Sequence, residues 1–395
     1  MKDQRATTWR RRLAQWDRPL VPGLLTFLGG IVFVLARWFD SAHRHLGAFI
    51  VAGQGSANAA QVPSGVVVFA NGGYDGQFYY RLALAPWNFS THLYGITIDT
   101  PIRFQRIGYP AVAWVVSFGR HSLTPLALVV VNIVALGALG LACGRWAQLL
   151  GRHALWGLLP ASYFGFIYSL SRDLTEILAA ALLVGGLVAV RTRRPVIAGL
   201  ALAGAVLTRE TALLFVFSYG VLRLIEIARR NVKIGHEDLT WTLPLLVFAL
   251  WQLTVRVSAG VWPLTSDKSS NFDIPFRAII KMIPTMRHAS STVFALMLIS
   301  GVTLAIMSVS AFLVIRQSTA TPAERLAFVL AIILVVSLSA NIWIGDPFQF
   351  RTFNDAWIYG TGILIGSRRS TLLSATALAG SVSLAMATLW KIATI

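Results

Sequence analysis

The sequence predicts an all-α polytopic membrane protein with about eleven transmembrane helices, in a range of ten to twelve. Three observations predict it. Only 13% of the 395 residues are charged, while 56% are hydrophobic. A soluble protein of this size carries about 25% charged residues. Apolar runs of spanning length recur along the chain, and short clusters of arginine separate them.

The first run, Leu20 to Phe39, follows Arg10-Arg11-Arg12. It is too long for a signal peptide and lacks a small-residue cleavage site directly after it, so it reads as a retained helix. The further helices are expected at 123–143, 154–171, 174–190, 195–208, 211–228, 240–259, 291–315, 326–344, 355–367 and 371–390, after a first at 19–39. Residues 1–18 form a basic cytoplasmic N-terminus, and 19–395 form one transmembrane domain. With the N-terminus in the cytoplasm, one orientation puts all the main basic clusters inside: Arg10 to Arg12, Arg145 with Arg152, Arg191 with Arg193 and Arg194, Arg229-Arg230 with Lys233, and Arg368-Arg369. This is the positive-inside pattern. It accounts for much of the +18 formal charge without nucleic acid as a partner.

The acids divide the other way. Asp40, Asp75, Asp99, Asp173, Glu176, Glu210, Asp267, Asp273, Asp346 and Asp355 fall at or beyond the outer boundary, ten of the sixteen acids in the chain. Acids are weak topological signals, so their clustering points to a site at the outer face. Two outer segments are long, 40–122 and 260–290, whereas the cytoplasmic connections are short. No Walker motif or glycine-rich nucleotide loop occurs, which argues against ATP-driven chemistry inside. The single cysteine, Cys143, excludes an intrachain disulfide and a cysteine-based metal site. The histidines are scattered; only His43 and His45 lie close together, and no structural metal is expected.

Residues 41–70 read as an irregular connection or a weakly amphipathic helix. Asn71-Gly72-Gly73-Tyr74-Asp75-Gly76-Gln77-Phe78-Tyr79-Tyr80-Arg81-Leu82-Ala83 follows. Glycines around an acid permit a turn that presents Asp75 to a ligand. Tyr79, Tyr80 and Trp87 fit either ligand contacts or an aromatic belt at the headgroups. Downstream, Arg103 and Arg106 are spaced to share one face of a helical turn. Their guanidinium forks suit a phosphate, either of a substrate or of anionic lipid. The run Ala111 to Phe118 is too short to span and reads as a helix on, or dipping into, the outer leaflet.

Tyr74-Asp75-Gly76-Gln77-Phe78-Tyr79-Tyr80-Arg81-Leu82-Ala83 and the later Tyr109-Pro110 resemble the GT-C superfamily of membrane glycosyltransferases. The nearer resemblance is to bacterial multi-span proteins of cell-surface glycopolymer formation, with a similar YDGQ-(F/Y)-YY stretch and Arg-x-x-Arg-x-x-Tyr-Pro. It is carried by residues 71–118 and by Leu207-Thr208-Arg209-Glu210-Thr211. Many GT-C enzymes place the loop acid just after the first span, often as a pair. Here Asp40 has that position, Asp75 has the motif, and Asp75 has no adjacent acid, so use of a divalent cation is left open.

The resemblance implies a GT-C-like fold with short interfacial helices in the first outer loop. It also implies inverting sugar transfer outside the cytoplasmic membrane of a bacterium. The donor would be a polyprenyl-phosphate sugar, the acceptor a glycan or glycolipid, with membrane lipids as surroundings. Asp75 is the expected general base. Tyr74, Gln77, Tyr79, Tyr80, Arg103 and Arg106 are expected to bind substrate, with Arg351 as a further phosphate contact. Asp173 and Glu176 suit either helix capping or a shared cavity with Asp75. Arg209 and Glu210, charges beside an apolar stretch, suit either a structural pair or a substrate contact. Two other functions fit the same surface: a transporter or flippase for a lipid-linked glycan, and a non-catalytic assembly partner. A transporter should carry polar groups through both halves of the membrane path. Here they gather at the outer end.

Overall fold

The computed structural model describes residues 16–70, 72–230, 233–265, 271–286, 290–343 and 347–394. Arg10 to Arg12, Asn71, Asp267-Lys268 and Asp346 lie outside the described residues. Counting helices of seven residues or more, α1 is Leu20–Phe39, α2 Gly76–Leu84, α3 Gly108–Val116, α4 Thr124–Leu149, α5 Phe164–Leu170, α6 Glu176–Arg191 and α7 Pro195–Thr208. After these come α8 Leu213–Arg230, α9 Leu239–Ala259, α10 Arg277–Met286, α11 Ser291–Val314, α12 Pro322–Val336, α13 Asn354–Ile365 and α14 Ser370–Ala393.

Among the described residues, six helices are long and apolar enough to cross a membrane: Leu20–Phe39, His121–Leu149, Glu210–Arg229, His236–Ala259, Ser291–Val314 and Ser370–Ala393. Their outer faces carry exposed aliphatic side chains, for example Leu24, Leu28 and Val32 on α1, and Leu246, Leu250 and Val257 on α9. On α1 these recur at helical spacing, opposite a face of Gly23, Thr26 and Gly30 packed on α4. Small residues allow that close approach, and Thr26 Oγ1 donates to Leu136 O at 3.0 Å.

Each of the other five expected helices meets helix in the structure; 195–208 keeps its expected bounds, and the others are shorter or broken. α6 has 16 residues and α7 has 14. At 1.5 Å per residue they reach about 24 and 21 Å, short of a hydrocarbon core of about 30 Å. α13 has twelve residues, all buried, and forms the centre of the bundle. The expected helix 154–171 is broken: a 3-10 turn and a short helix end at Ser162, Tyr163 is extended, and α5 resumes at Phe164. Tyr163 is fixed there by donating its hydroxyl to Phe350 O at 2.5 Å. α12 begins at Pro322, earlier than hydropathy suggested, because Thr321 and Glu324 make a capping box.

The first long connection is folded. A 3-10 turn at Leu46–Ile50 leads to β1 (Ala52–Gly53), paired in parallel with β2 (Val68–Phe69). The antiparallel β3 (His92–Leu93) and β4 (Ile96–Thr97) form a hairpin. α2 lies between these pairs and is buried along its whole length. Tyr79 and Tyr80 are therefore core residues at 0% and 1% exposure, not a headgroup belt. The reason is that Ile50, Ile96, Phe104 and Leu128 close over them. Trp87 does remain exposed, as do Val115 and Phe118 around α3. The second long connection contains α10.

Candidate functional site

Two glycines determine how the first connection docks. Gly76 opens α2, and a Cβ there would lie 2.2 Å from Arg172 O and 2.7 Å from Ile50 O. Only glycine lets the Tyr74–Gly76 turn rest on the segment before α6. Gly108 opens α3, and a Cβ there would lie 2.3 Å from Thr208 Oγ1. That close approach sets Arg106 beside the end of α7. Both contacts join segments far apart in sequence.

Asp75 precedes α2, but its carboxylate makes no cap hydrogen bond. It turns instead to two arginines. Arg103 Nη1 lies 2.9 Å from Oδ1, and Arg351 Nη2 donates to Oδ2 at 2.6 Å. Arg103 also grips Asp99 through Nε and Nη2, both at 3.0 Å. Arg351 donates through Nε to Tyr74 Oη at 3.2 Å and through Nη1 to Glu176. Glu176 receives Arg209 on the same oxygen, and Ser169 Oγ donates to its other oxygen at 3.2 Å. A second arm begins at Arg106, which donates two bonds to Glu210 at 2.9 and 2.6 Å and one to Tyr79 Oη at 3.1 Å. The five contributing segments surround one alternating network of acids and arginines.

Exposure falls along it. Asp99 is 43% exposed, Asp75 and Arg103 are 15% and 16%, and Glu176 is 0%. Arg106 and Glu210 retain 15% and 22%. The rim is thus open to a ligand, and the floor is a dry ion cluster. Aromatic faces line it: Arg103 lies over Phe78 at 4.7 Å, and Arg172 over Tyr74 at 4.4 Å.

Burial alone would raise the pKa of Asp75, but Arg103, Arg351 and Arg106 outweigh it and hold the carboxyl well below the usual range. Asp75 is ionised in this state and weakly basic while both arginines hold it. Asp173, beside the network, is the opposite case. It is fully buried, its φ is +50°, and neither carboxylate oxygen has a hydrogen-bond partner among the described residues. Burial pushes its carboxyl well above the usual range, with Arg37 partly opposing.

Of the residues expected from sequence, Tyr74, Asp75, Tyr79, Arg103, Arg106, Glu176, Arg209, Glu210 and Arg351 come together. Asp173 lies beside them without joining an ion pair among the described residues. Gln77 and Tyr80 are not brought to the network: Gln77 Oε1 accepts from Gly53 N at 3.1 Å, tying α2 to β1, and Tyr80 packs in the apolar layer. Neither Asp173 nor Glu176 caps α6 through its side chain; Thr175 stands at that position without a side-chain cap.

The site also contains residues to which the sequence assigned no individual role. Asp355, on α13, is buried and lies within electrostatic reach of Arg209, Glu210 and Glu176. Arg172 stacks on Tyr74, and Asp99 holds Arg103. Asp99 and Asp355 belong to the outer carboxylate group, which was the available signal. Arg172 gave none. Among the described residues, no group of three His, Cys, Asp or Glu side chains is placed to hold a metal ion.

Comparison with protein-family models, with curated proteins and with solved structures finds no match for this chain. The site's own chemistry therefore carries the functional argument. Arg103 and Arg106 near the rim, and the buried Arg351, are each held by carboxylate oxygens. Phosphate oxygens present the same acceptor geometry to a guanidinium fork. The arrangement can thus exchange a carboxylate for a phosphate at little geometric cost.

Proposed function

We propose that this protein is an integral membrane glycosyltransferase. It transfers a sugar from a polyprenyl-phosphate donor to a glycan or lipid acceptor of the cell envelope, on the outer face of a bacterial cytoplasmic membrane. The observation that carries this reading is the double clamp on Asp75: one partly exposed carboxylate held between Arg103 and Arg351, with Arg106 beside them. The motif around Asp75, which resembles that of the GT-C superfamily, supports it further.

The chemistry follows from the clamp. The donor phosphate draws Arg103 and Arg351 onto its oxygens and releases Asp75. Freed of two positive neighbours, Asp75 becomes a stronger base. It accepts the proton of the acceptor hydroxyl as that oxygen bonds to the anomeric carbon from the opposite face. The bond from the anomeric carbon to the phosphate oxygen breaks, and the electron pair leaves with polyprenyl phosphate. The arginines stabilise that leaving anion in a poorly hydrated site. Glu176 and Arg209 form the floor that holds Arg351 in place.

Purified protein in detergent, given synthetic polyprenyl-phosphate sugars and glycan acceptors, should release polyprenyl phosphate. Asp75→Asn should slow release by about 10²–10⁴-fold, the usual worth of a general base. Equal turnover by Asp75→Asn would remove Asp75 from the chemistry. No release by wild type across a broad donor panel would favour a transporter or a non-catalytic assembly partner.

A further inference from the structure

A basin of about 500 Å³ lies in the folded first connection, between the turn after β1 and the β3–β4 hairpin. Its volume falls within the usual range of ligand sites. The side chains of Gln54, Ser56, Asn58, His92 and Thr97 line it, and no Lys, Arg, Asp or Glu does. The network around Asp75, by contrast, is built of ions.

Backbone bonds hold the basin in shape. Asn58 N donates to Gly95 O at 2.7 Å, and Thr97 N donates to Ser56 O at 2.8 Å, so the turn and the hairpin are stitched together. The hairpin reverses at Tyr94 and Gly95, whose φ values are +53° and +70°. A frame fixed before binding loses little freedom when a ligand arrives. The side chains keep capacity after their own bonds. His92 Nδ1 and Thr97 Oγ1 lie 2.9 Å apart, which leaves Nε2 of the ring for a ligand. Asn58 Oδ1 accepts from Ala60 N at 3.0 Å, which leaves its NH2 group to donate. Gln54 and Ser56 add an amide and a hydroxyl. Such a set of neutral donors and acceptors suits a polyhydroxylated ligand. A phosphate would find no guanidinium or ammonium here, and an acyl chain would find no apolar wall.

The same frame runs into the candidate site. Tyr74 N donates to Val51 O at 2.9 Å, and Gly53 N donates to Gln77 Oε1 at 3.1 Å. A Cβ at Gly53 would collide with Gly72 O, so β1 rests directly on the turn that carries Asp75. On the hairpin side, Thr97 leads within two residues to Asp99, which holds Arg103.

We propose that this basin binds a neutral oligosaccharide and is the acceptor subsite of the transfer described above. The acceptor role rests on that reading; the preference for a neutral glycan rests on the lining alone. A glycan held here extends toward the Asp75 clamp along the two segments that join them. The ions of the clamp then serve the donor phosphate, and the neutral groups of the basin serve the acceptor.

The test uses the full chain in detergent, with linear hexaoses of glucose, mannose, galactose and N-acetylglucosamine as probes, read by saturation-transfer NMR. Gly55→Leu fills the basin; a Cβ at Gly55 meets no atom within 4 Å, so the fold tolerates it. Gly235→Leu, ahead of α9, is the matched control, since its Cβ also meets nothing within 4 Å. Gln54→Ala removes one exposed amide from the lining. Wild type and Gly235→Leu should bind at least one hexaose alike. Gln54→Ala should weaken that binding about threefold to tenfold, the worth of one hydrogen bond, and Gly55→Leu should weaken it further. Inorganic phosphate should not displace the hexaose. Binding of no hexaose, unchanged binding by Gly55→Leu, or displacement by inorganic phosphate would each overturn the proposal. Turnover separates the two readings. Gly55→Leu should raise KM for the glycan acceptor and leave KM for the donor unchanged. A wild-type acceptor KM in Gly55→Leu would overturn the acceptor role while transfer stands. Hexaose binding by a wild type that turns over no donor would keep the glycan site while the transfer reading falls.

Discussion

Glu176→Gln tests the floor of the site. The substitution keeps shape and the contact with Ser169 but removes one charge. Glu176 is completely buried, and one of its oxygens receives both Arg209 and Arg351, themselves only 5% and 6% exposed. Breaking a buried pair costs about 3–5 kcal/mol, because the surviving partner is left charged and dry. Here Arg351 retains Asp75 at 2.6 Å and the Tyr74 hydroxyl. Arg209 retains the fields of Glu210 and Asp355. The loss should therefore be near the lower end, about 3 kcal/mol. Denaturation in detergent, followed by tryptophan fluorescence, measures it. Combined with Arg209→Met in a double-mutant cycle, the two effects should fall short of additivity by about 1–3 kcal/mol. Donor turnover should fall as well, because Arg351 loses the anchor that aims it. A loss within about 0.5 kcal/mol, the level of an ordinary surface change, or an additive cycle would refute a shared ion cluster at this floor.

Two further outcomes follow from the same geometry. Arg106→Lys keeps the charge but loses the two-pronged grip on Glu210; donor KM should rise about tenfold, or 1.4 kcal/mol, and steady-state kinetics with an unchanged KM would count against a phosphate contact there. Asp173→Asn should widen its melting-temperature advantage over wild type as pH rises above about 4. The folded-state pKa of Asp173 is raised, so wild type loses stability as the unfolded acid ionises and the folded one does not; a difference independent of pH would show that Asp173 is charged in the fold.

The sequence made most of the helices legible because burial in lipid or in a bundle leaves long apolar runs. Pro195–Thr208 matches its expected bounds, and Ser291–Val314 differs by one residue. Where reading by hydropathy failed, a local signal competed with it. The Thr321–Glu324 capping box starts α12 before the apolar run does, and Ser162-Tyr163 interrupts an apolar stretch to meet Phe350. Length already marked α7 and α13 as short, but only packing shows that α13 is buried along its whole length. The tyrosines after Asp75 were ambiguous for a related reason. An aromatic pair looks the same in sequence whether it faces headgroups or the underside of a folded loop.

For the candidate site, the chain by itself determined the ingredients: a glycine-flanked Asp75, arginines spaced three apart, and acids gathered at the outer ends of apolar runs. These follow from composition and local pattern. The partners were decided by tertiary structure. Arg351 is 276 residues from Asp75, and Arg106 is 104 from Glu210. No periodicity links such positions. Gly76 and Gly108 bring them together by letting backbone meet backbone where a side chain would intervene. The balance on Asp75 also belongs to the fold alone, because burial and two facing arginines act on the same carboxylate with opposite sign.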